Sequence, residues 1–414
     1  MLLAAGEVAG RVLSTNLNTT FRNHLGPALQ RSKTSQIPQL LKYSQRSPLS
    51  FSIPSRALAT KSSKSNYKMK ALVYTGPGKV ALEDRPKPQL SAPTDAIVKL
   101  KYGTICGTDL HIIKGDVPTA TPGRILGHEG VGTIDELGSS VTGLRKGDTV
   151  LISCITACAT CSFCQKGMRS HCEHGGWVLG NKSDGTQAEY VRIPWAMSSL
   201  YKLPDTVNLA EAVMLSDALP TGFECGTLNG KVQPGCSVAI VGAGPIGLTA
   251  MITAKLYSPA QLVLVDVDDS RLELAKQFGA THTLNSKKPD GVKQLLELTP
   301  NGQGYDAVIE AVGIPATFQL CQDLVNPGGI IANVGVHGSK VDLHLETLWD
   351  RNISITTRLV DTTTIPMLLR LFESKTLDVS KLITHHYKFN ECEKAYDTFK
   401  AAADHKALKV SIEY

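Results

Sequence analysis

No apolar run in this 414-residue chain approaches the ~18 residues that a bilayer-crossing helix needs, which excludes a helical membrane span. Charged residues are scarce at 19% while hydrophobic ones reach 42%, a balance that excludes a disordered chain and supplies material for real cores. There is no internal repeat, and no low-complexity run outside the first 68 residues. Acid is almost missing from those 68 residues, where Glu7 stands alone against ten Lys and Arg. Residues 69–414 carry 33 basic and 36 acidic groups, a net of −3, so the formal +6 of the chain belongs to its leader. The body has no bulk positive field with which to hold nucleic acid. At about 100–200 residues per domain, the length predicts two domains.

A Ser-rich, basic, acid-poor leader has the composition of a mitochondrial transit peptide. Positive charge draws such a segment toward anionic membrane surfaces and along a negative-inside potential. Val8 and Val12 lie one helical turn apart, and Arg56-Ala57-Leu58-Ala59-Thr60 resembles a processing region. No long apolar stretch argues for secretion. The expectation is a removable leader (1–68) and a mature protein in the mitochondrial matrix.

Five of the ten cysteines fall between 154 and 172. Cys158-x2-Cys161-x2-Cys164-x7-Cys172 offers four thiolates within fifteen residues. Such spacing lets the backbone curl around one Zn²⁺, which prefers a closed tetrahedron of soft ligands at about 2.3 Å. A structural zinc with no open position is expected there; Cys154 is left over. Upstream, Cys106, Thr108, Asp109 and His111 stand in one short run, and Gly127-His128-Glu129 follows. Cys106 and His128 are a thiolate and an imidazole of the kind a catalytic zinc uses. Thr108 has a hydroxyl able to hold a substrate proton, Asp109 is a candidate to orient an imidazole, and His111 is a candidate to pass a proton to water.

Val238–Val241 is a short β-branched run leading into Gly242-Ala243-Gly244-Pro245-Ile246-Gly247 and then a helical pattern over Leu248–Leu256. Strand, G-x-G-x-x-G and helix form a dinucleotide fingerprint, with pyrophosphate received at the helix N-terminus. A second strand, Gln261–Val265, ends at Asp266, 19 residues after Gly247. A carboxylate there binds ribose hydroxyls and repels a 2′-phosphate, which predicts NAD rather than NADP. Asp268 and Asp269 add negative charge, and Arg271 is a further cofactor candidate. Strands at Ala307–Glu310 and Ile330–Val334 and a helix at Arg271–Phe278 continue the alternation, so a parallel doubly wound sheet is expected over about 219–358. Residues 69–218 instead show short β runs (Ala71–Tyr74, Ala96–Leu100, Gly130–Leu137, Thr149–Ser153). The end of the chain shows a helix-like Pro366–Ser374 and a strand-like Leu408–Ile412.

Taken in order, these residues resemble the zinc-dependent alcohol dehydrogenases of the medium-chain dehydrogenase/reductase family, over essentially all of 69–414. The resemblance implies an α/β protein: a GroES-like β-rich catalytic domain (69–218, with the zinc lobe at 154–172, completed by 359–414) and a Rossmann doubly wound parallel sheet (219–358). It places the active site in the cleft between them. Many members carry a second Cys four residues before a Thr-Gly; here Asp217 precedes Thr221-Gly222, as in the microbial secondary-alcohol subgroup. The implied catalytic ligands are therefore Cys106, His128 and Asp217, with Glu129 as an exchangeable fourth. That subgroup commonly uses NADP, from which Asp266 departs. Gly107 stands where some members have a basic pyrophosphate contact. Thr221 would abut the nicotinamide, and Val334-Gly335-Val336 would offer backbone groups to its carboxamide. Two zinc ions per subunit, NAD, a small alcohol, aldehyde or ketone as substrate, and a homo-oligomer, a tetramer in the shorter members, complete what the resemblance implies. A polyol or formaldehyde dehydrogenase is the alternative within the fold. A catalytically silent zinc/nucleotide-binding protein is the alternative outside it, and would be expected to lack Cys106, His128 or Thr108. Spacing does not place Trp177 or Trp195.

Overall fold

The computed structural model describes residues 67–414; the leader reading, from Val8 to the Arg56–Thr60 segment, lies outside them. The described residues belong to the compact unit Ser63–Tyr414. Its first strand, β1 (Lys68–Gly76), starts one residue inside the expected leader boundary and buries Met69 and then Ala71 through Tyr74. β2 (Lys79–Pro86) folds back on it. β3 (Ala96–Thr104), β4 (Arg124–Ile125), β5 (Gly130–Leu137), β6 (Thr149–Ile152), β7 (Tyr190–Ile193) and β8 (Leu200–Lys202) follow. β4 joins β1, and β3 pairs antiparallel with β5, β5 with β6, and β6 with β8. Antiparallel strands with one covered face explain the mixed burial along β2, β5 and β7.

The second sheet is built from β9 (Ser237–Val241), β10 (Gln261–Asp266), β11 (His282–Asn285), β12 (Tyr305–Glu310), β13 (Val325–Asn333) and β14 (Ser354–Thr357). Its order is β11-β10-β9-β12-β13-β14 with every pair parallel. β9 and β10 are apolar on both faces because helices cover both. The chain leaves β9 toward β10 on one side and returns to β12 on the other. A crevice opens at such a switch point, beyond the carboxyl ends of the strands.

The chain then returns to the first sheet. β15 (Ile383–Lys388) pairs parallel with β16 (Lys409–Glu413), and β16 pairs antiparallel with β3. The C-terminal strand thus becomes an inner strand beside a strand some 300 residues earlier. One apolar core is shared between the two sheets: Val131 and Leu151, then Val213–Leu215 and Leu219 of the connecting segment, then Val238, Ile240, Leu248 and Met251. Each fully buried aliphatic side chain of this kind contributes roughly 1.5–3 kcal/mol. This core clamps the segment around Asp217 between the sheets.

Candidate active site

Cys106 leaves β3 and caps the helix Gly107–Lys114. Its N–H donates to Asp109 Oδ2 at 3.0 Å. Gly127, just after β4, has φ of +89°, and a Cβ there would stand 2.6 Å from Gln187 Cγ. Only glycine fits that turn, and the turn aims His128 inward. Asp217 lies at the start of the helix Ala218–Thr221, where its side chain caps no backbone group and is left for other work. Asp217 Oδ2 is 3.6 Å from both Cys106 Sγ and His128 Nε2. One donor atom each from Cys106, His128, Glu129 and Asp217 lies within 4.8 Å of all the others.

On its far side, His128 Nδ1 faces Asp109 Oδ1 at 3.8 Å. Both atoms are buried and have no hydrogen-bond partner. A donor set of one thiolate, one imidazole and carboxylate oxygens with a carboxylate behind the imidazole fits a catalytic Zn²⁺. The charges say the same. Burial opposes a charge on His128, but the Cys106 sulfur and the Asp217 carboxylate hold its pKa well above the usual histidine value. Burial, with the Asp217 and Glu129 carboxylates, raises Cys106.

Glu129 is less free than the sequence suggests. Its carboxylate accepts from Lys409 Nζ at 2.6 Å and from the Thr104 hydroxyl, and both charged side chains are buried. Lys409 also donates to Ile105 O at 3.1 Å. An expected exchangeable ligand is therefore tied into a buried ion pair. Nothing in the sequence signalled Lys409, 280 residues away.

A cavity of about 150 Å³ opens over the cluster. Thr108, His111 and the metal-facing groups form one side; Val117, Trp177, Val336 and Leu359 form an apolar wall. Thr108 Oγ1 lies 3.6 Å from Cys106 Sγ. His111 is half-exposed, with Nδ1 3.1 Å from Asp116 Oδ2. Trp177 meets the His128 ring edge-on at 6.4 Å. Trp195 lies elsewhere, donating Nε1–H to His174 O at 3.0 Å beside the cysteine lobe.

In that lobe the Cys158, Cys161, Cys164 and Cys172 sulfurs also lie within 4.8 Å of one another, and none is in a disulfide. N–H groups of Cys161 and Thr160 point at Cys158 Sγ at 3.3 and 3.5 Å. Against slight desolvation, these donors and the Thr160 hydroxyl bring Cys158 down to about 6, while burial and the neighbouring thiols push Cys164 up to about 12. Ser170, inside the same loop, donates its N–H and hydroxyl to Asp361 at 2.9 and 2.6 Å. Asp361 follows Leu359 and Val360 of the cavity wall, so the lobe braces that wall.

The nucleotide groove, about 310 Å³, is lined by Gly242, Gly244, Asp266, Arg271 and Val312 among others. A Cβ on Gly247 would stand 1.8 Å from Gly242 O, so the helix Pro245–Ala254 closes on β9 only with glycine there. Gly244 caps that helix and Pro245 and Ile246 open it, with the free N–H groups of its first turn at the groove. Asp266 ends β10, accepting from Ala243 N at 2.6 Å and from Val267 N and Asp268 N at 2.7 and 2.9 Å. It fastens the glycine turn as well as facing the groove. Asp268 and Asp269, expected to add negative charge beside Asp266, also accept local hydrogen bonds: Asp268 caps the helix Asp269–Gln277, and Asp269 accepts from Asn285 Nδ2 at 2.9 Å. Thr221, expected beside the nicotinamide, donates its hydroxyl to Asp217 Oδ1 at 3.0 Å. Val334 N and Gly335 N both donate to Glu310 O, so Val334 can offer a cofactor its carbonyl rather than its amide. Val336 reaches the substrate cavity.

Two family descriptions match the chain: the alcohol dehydrogenase GroES-like domain over 92–205 and zinc-binding dehydrogenase over 245–374. An alcohol dehydrogenase of Cupriavidus necator is 37% identical over 366 residues, spanning 83% of this chain and 98% of that protein. The apo structure of zinc dependent alcohol dehydrogenase 2 from Streptococcus pneumonia is 53% identical, with a TM-score of 0.80 over 83% of this chain and 98% of that one. A probable D-xylulose reductase A of Emericella nidulans is 30% identical over 82% of this chain and 95% of that protein.

Proposed function

The chain belongs to the zinc-dependent alcohol dehydrogenases of the medium-chain dehydrogenase/reductase family, and from that premise we propose that Cys106, His128 and Asp217 hold its catalytic zinc beside NAD bound at Gly242–Gly247. The observation that carries the reading is the convergence of those donors, from three distant stretches of chain, at the floor of an apolar cavity. The reaction is reversible hydride transfer between an alcohol and the corresponding carbonyl compound. A second zinc belongs to Cys158, Cys161, Cys164 and Cys172, as a structural ion.

When bound, zinc supplies Lewis acidity toward the substrate oxygen and the nicotinamide accepts the hydride. The chain does the rest. Asp109 orients His128 through Nδ1. Thr108 Oγ1 receives the alcohol proton as it gives up its own toward His111, which, backed by Asp116, passes a proton to water. Val117, Trp177, Val336 and Leu359 exclude water and grip the carbon chain. Thr221 and the Val334–Val336 segment set the nicotinamide face. Asp266 selects ribose hydroxyls over a 2′-phosphate.

Substrate class follows from the wall. The further hydroxyls of a polyol would face aliphatic side chains, and each hydroxyl left without a partner costs about 1–3 kcal/mol. The polyol reading keeps the support of the xylulose reductase relative, so a substrate panel decides between them. Steady-state assays with short primary and secondary alcohols, benzyl alcohol, xylitol and sorbitol, each with NAD and NADP, are expected to give kcat/KM at least about tenfold higher for the apolar alcohols than for the polyols, with NAD preferred. A polyol as best substrate would reverse the substrate assignment, and a preference for NADP would remove the role given to Asp266.

The leader's composition supports a mitochondrial address, to which the bacterial relatives lend nothing. Residues 1–68 fused to a fluorescent protein are expected to carry it into mitochondria; a diffuse signal would refute the address. The edge strand β14 and the exposed Leu345 and Trp349, the latter 76% accessible, support a homo-oligomer, with a tetramer the form suggested by the shorter members. Light scattering should give a multiple of the chain mass, and a monomer at micromolar concentration would exclude it.

A further inference from the structure

Cys154 stands outside the four-thiolate lobe and beside the other metal cluster. It is 2% exposed and lines the substrate cavity. Its Sγ is 3.2 Å from Asp217 Oδ1. A carboxylate oxygen only accepts, so the thiol donates. Thr221, one turn after Asp217, donates its hydroxyl to the same oxygen at 3.0 Å. The other oxygen, Oδ2, is the one that lies 3.6 Å from Cys106 Sγ and His128 Nε2. The two oxygens of one carboxylate therefore face different company.

The backbone fixes this pairing. Cys154 N–H donates to Ser216 O at 3.1 Å, and the Ser216 hydroxyl is bonded to both Gly130 N and Gly130 O at 3.1 and 3.2 Å. The end of β6, the residue before Asp217 and the residue after Glu129 are thus tied together. Cys154 cannot drift from Asp217 without breaking that tie. Nor does its sulfur belong to the converging donor set, which holds Cys106, His128, Glu129 and Asp217.

A carboxylate turns easily about its terminal torsion and can present either oxygen, or both, to a cation. Two donors on Oδ1 remove that choice. We propose that Cys154 and Thr221 together lock Asp217 so that Oδ2 is its only metal-facing atom, which makes Cys154 a positioning residue of the catalytic metal site. The inference rests on Asp217 being a ligand. One oxygen from Asp217 preserves the open position that a catalytic zinc keeps for substrate.

The test uses full-length protein with Co²⁺ exchanged into the catalytic site. Chelator competition reads affinity, and absorption spectra read coordination. Cys154→Ala is expected to weaken Co²⁺ binding about 10–100-fold and to shift the ligand-field bands, because outer partners of ligands typically matter by that much. The sulfur-to-cobalt charge-transfer band should persist, since Cys106 is the one thiolate. Cys154→Ser restores an O–H donor and should recover most of the affinity. Unchanged affinity and spectrum in Cys154→Ala would overturn the proposal. So would equal losses in the Ala and Ser variants, which would mean a packing role. Loss of charge-transfer intensity in Cys154→Ala would overturn it too, by making Cys154 a ligand. Asp217→Ala separates the two levels: if it loses Co²⁺ while Cys154→Ala does not, only the positioning role falls. If Asp217→Ala keeps Co²⁺ at wild-type affinity, the ligand assignment falls and the positioning role with it.

Discussion

Asp217→Asn is expected to drop the zinc content from about two to about one per chain and kcat/KM by at least about a thousandfold. The direction follows from charge. Asp217 is buried among Cys106, His128 and Glu129, and His128 with Lys409 holds its carboxyl below the usual carboxylate range despite burial. An amide of the same shape keeps the packing but gives up the negative oxygen. The amide oxygen can still accept from Cys154 and Thr221, so the melting temperature should move less than activity. The structural ion should stay, because its four thiolates lie in a separate lobe. Metal analysis, thermal melting and steady-state kinetics on one preparation check all three points. Two zinc ions per chain and kcat/KM within a few-fold of wild type would remove Asp217 from the site.

Lys409→Met is expected to destabilise the protein by about 3–5 kcal/mol, a large share of the stability of an ordinary domain. The substitution keeps chain length but strands Glu129, which is 1% exposed and would retain only the Thr104 hydroxyl as a partner. Burial, with the Asp217 carboxylate, raises the pKa of Glu129, and Lys409 is the main opposing influence. The double variant Lys409→Met, Glu129→Gln removes both charges and should recover most of the loss, because an uncompensated buried charge costs far more than a missing pair. Urea unfolding of metal-loaded protein at matched m-values measures this. Equal stabilities for wild type and Lys409→Met would show that the pair is solvated or dispensable. Recovery in the double variant without recovery of activity would separate the structural task of Glu129 from any part in the reaction.

The features legible from the residues without the family resemblance are closed over short spans of chain. The four lobe cysteines share fifteen residues, and Gly242–Gly247 sits directly between β9 and its helix. Local sterics and ligand spacing decide such features, so the order of residues is enough. Strand and helix alternation likewise announced the parallel sheet, whereas Asp217 was implied only by the family resemblance, through its place before Thr221-Gly222. Only the folded chain could pair Lys409 with Glu129, set Cys154 against one oxygen of Asp217, bring Trp177 onto His128, or brace the cavity wall from Ser170 through Asp361. Those contacts join residues tens to hundreds of positions apart. Hydrophobic periodicity states which face of an element is buried, but it does not state which element will cover it. That choice is made when β16 returns to β3 and the shared core closes around residues 213–219, and it is there that the partners of the site are decided.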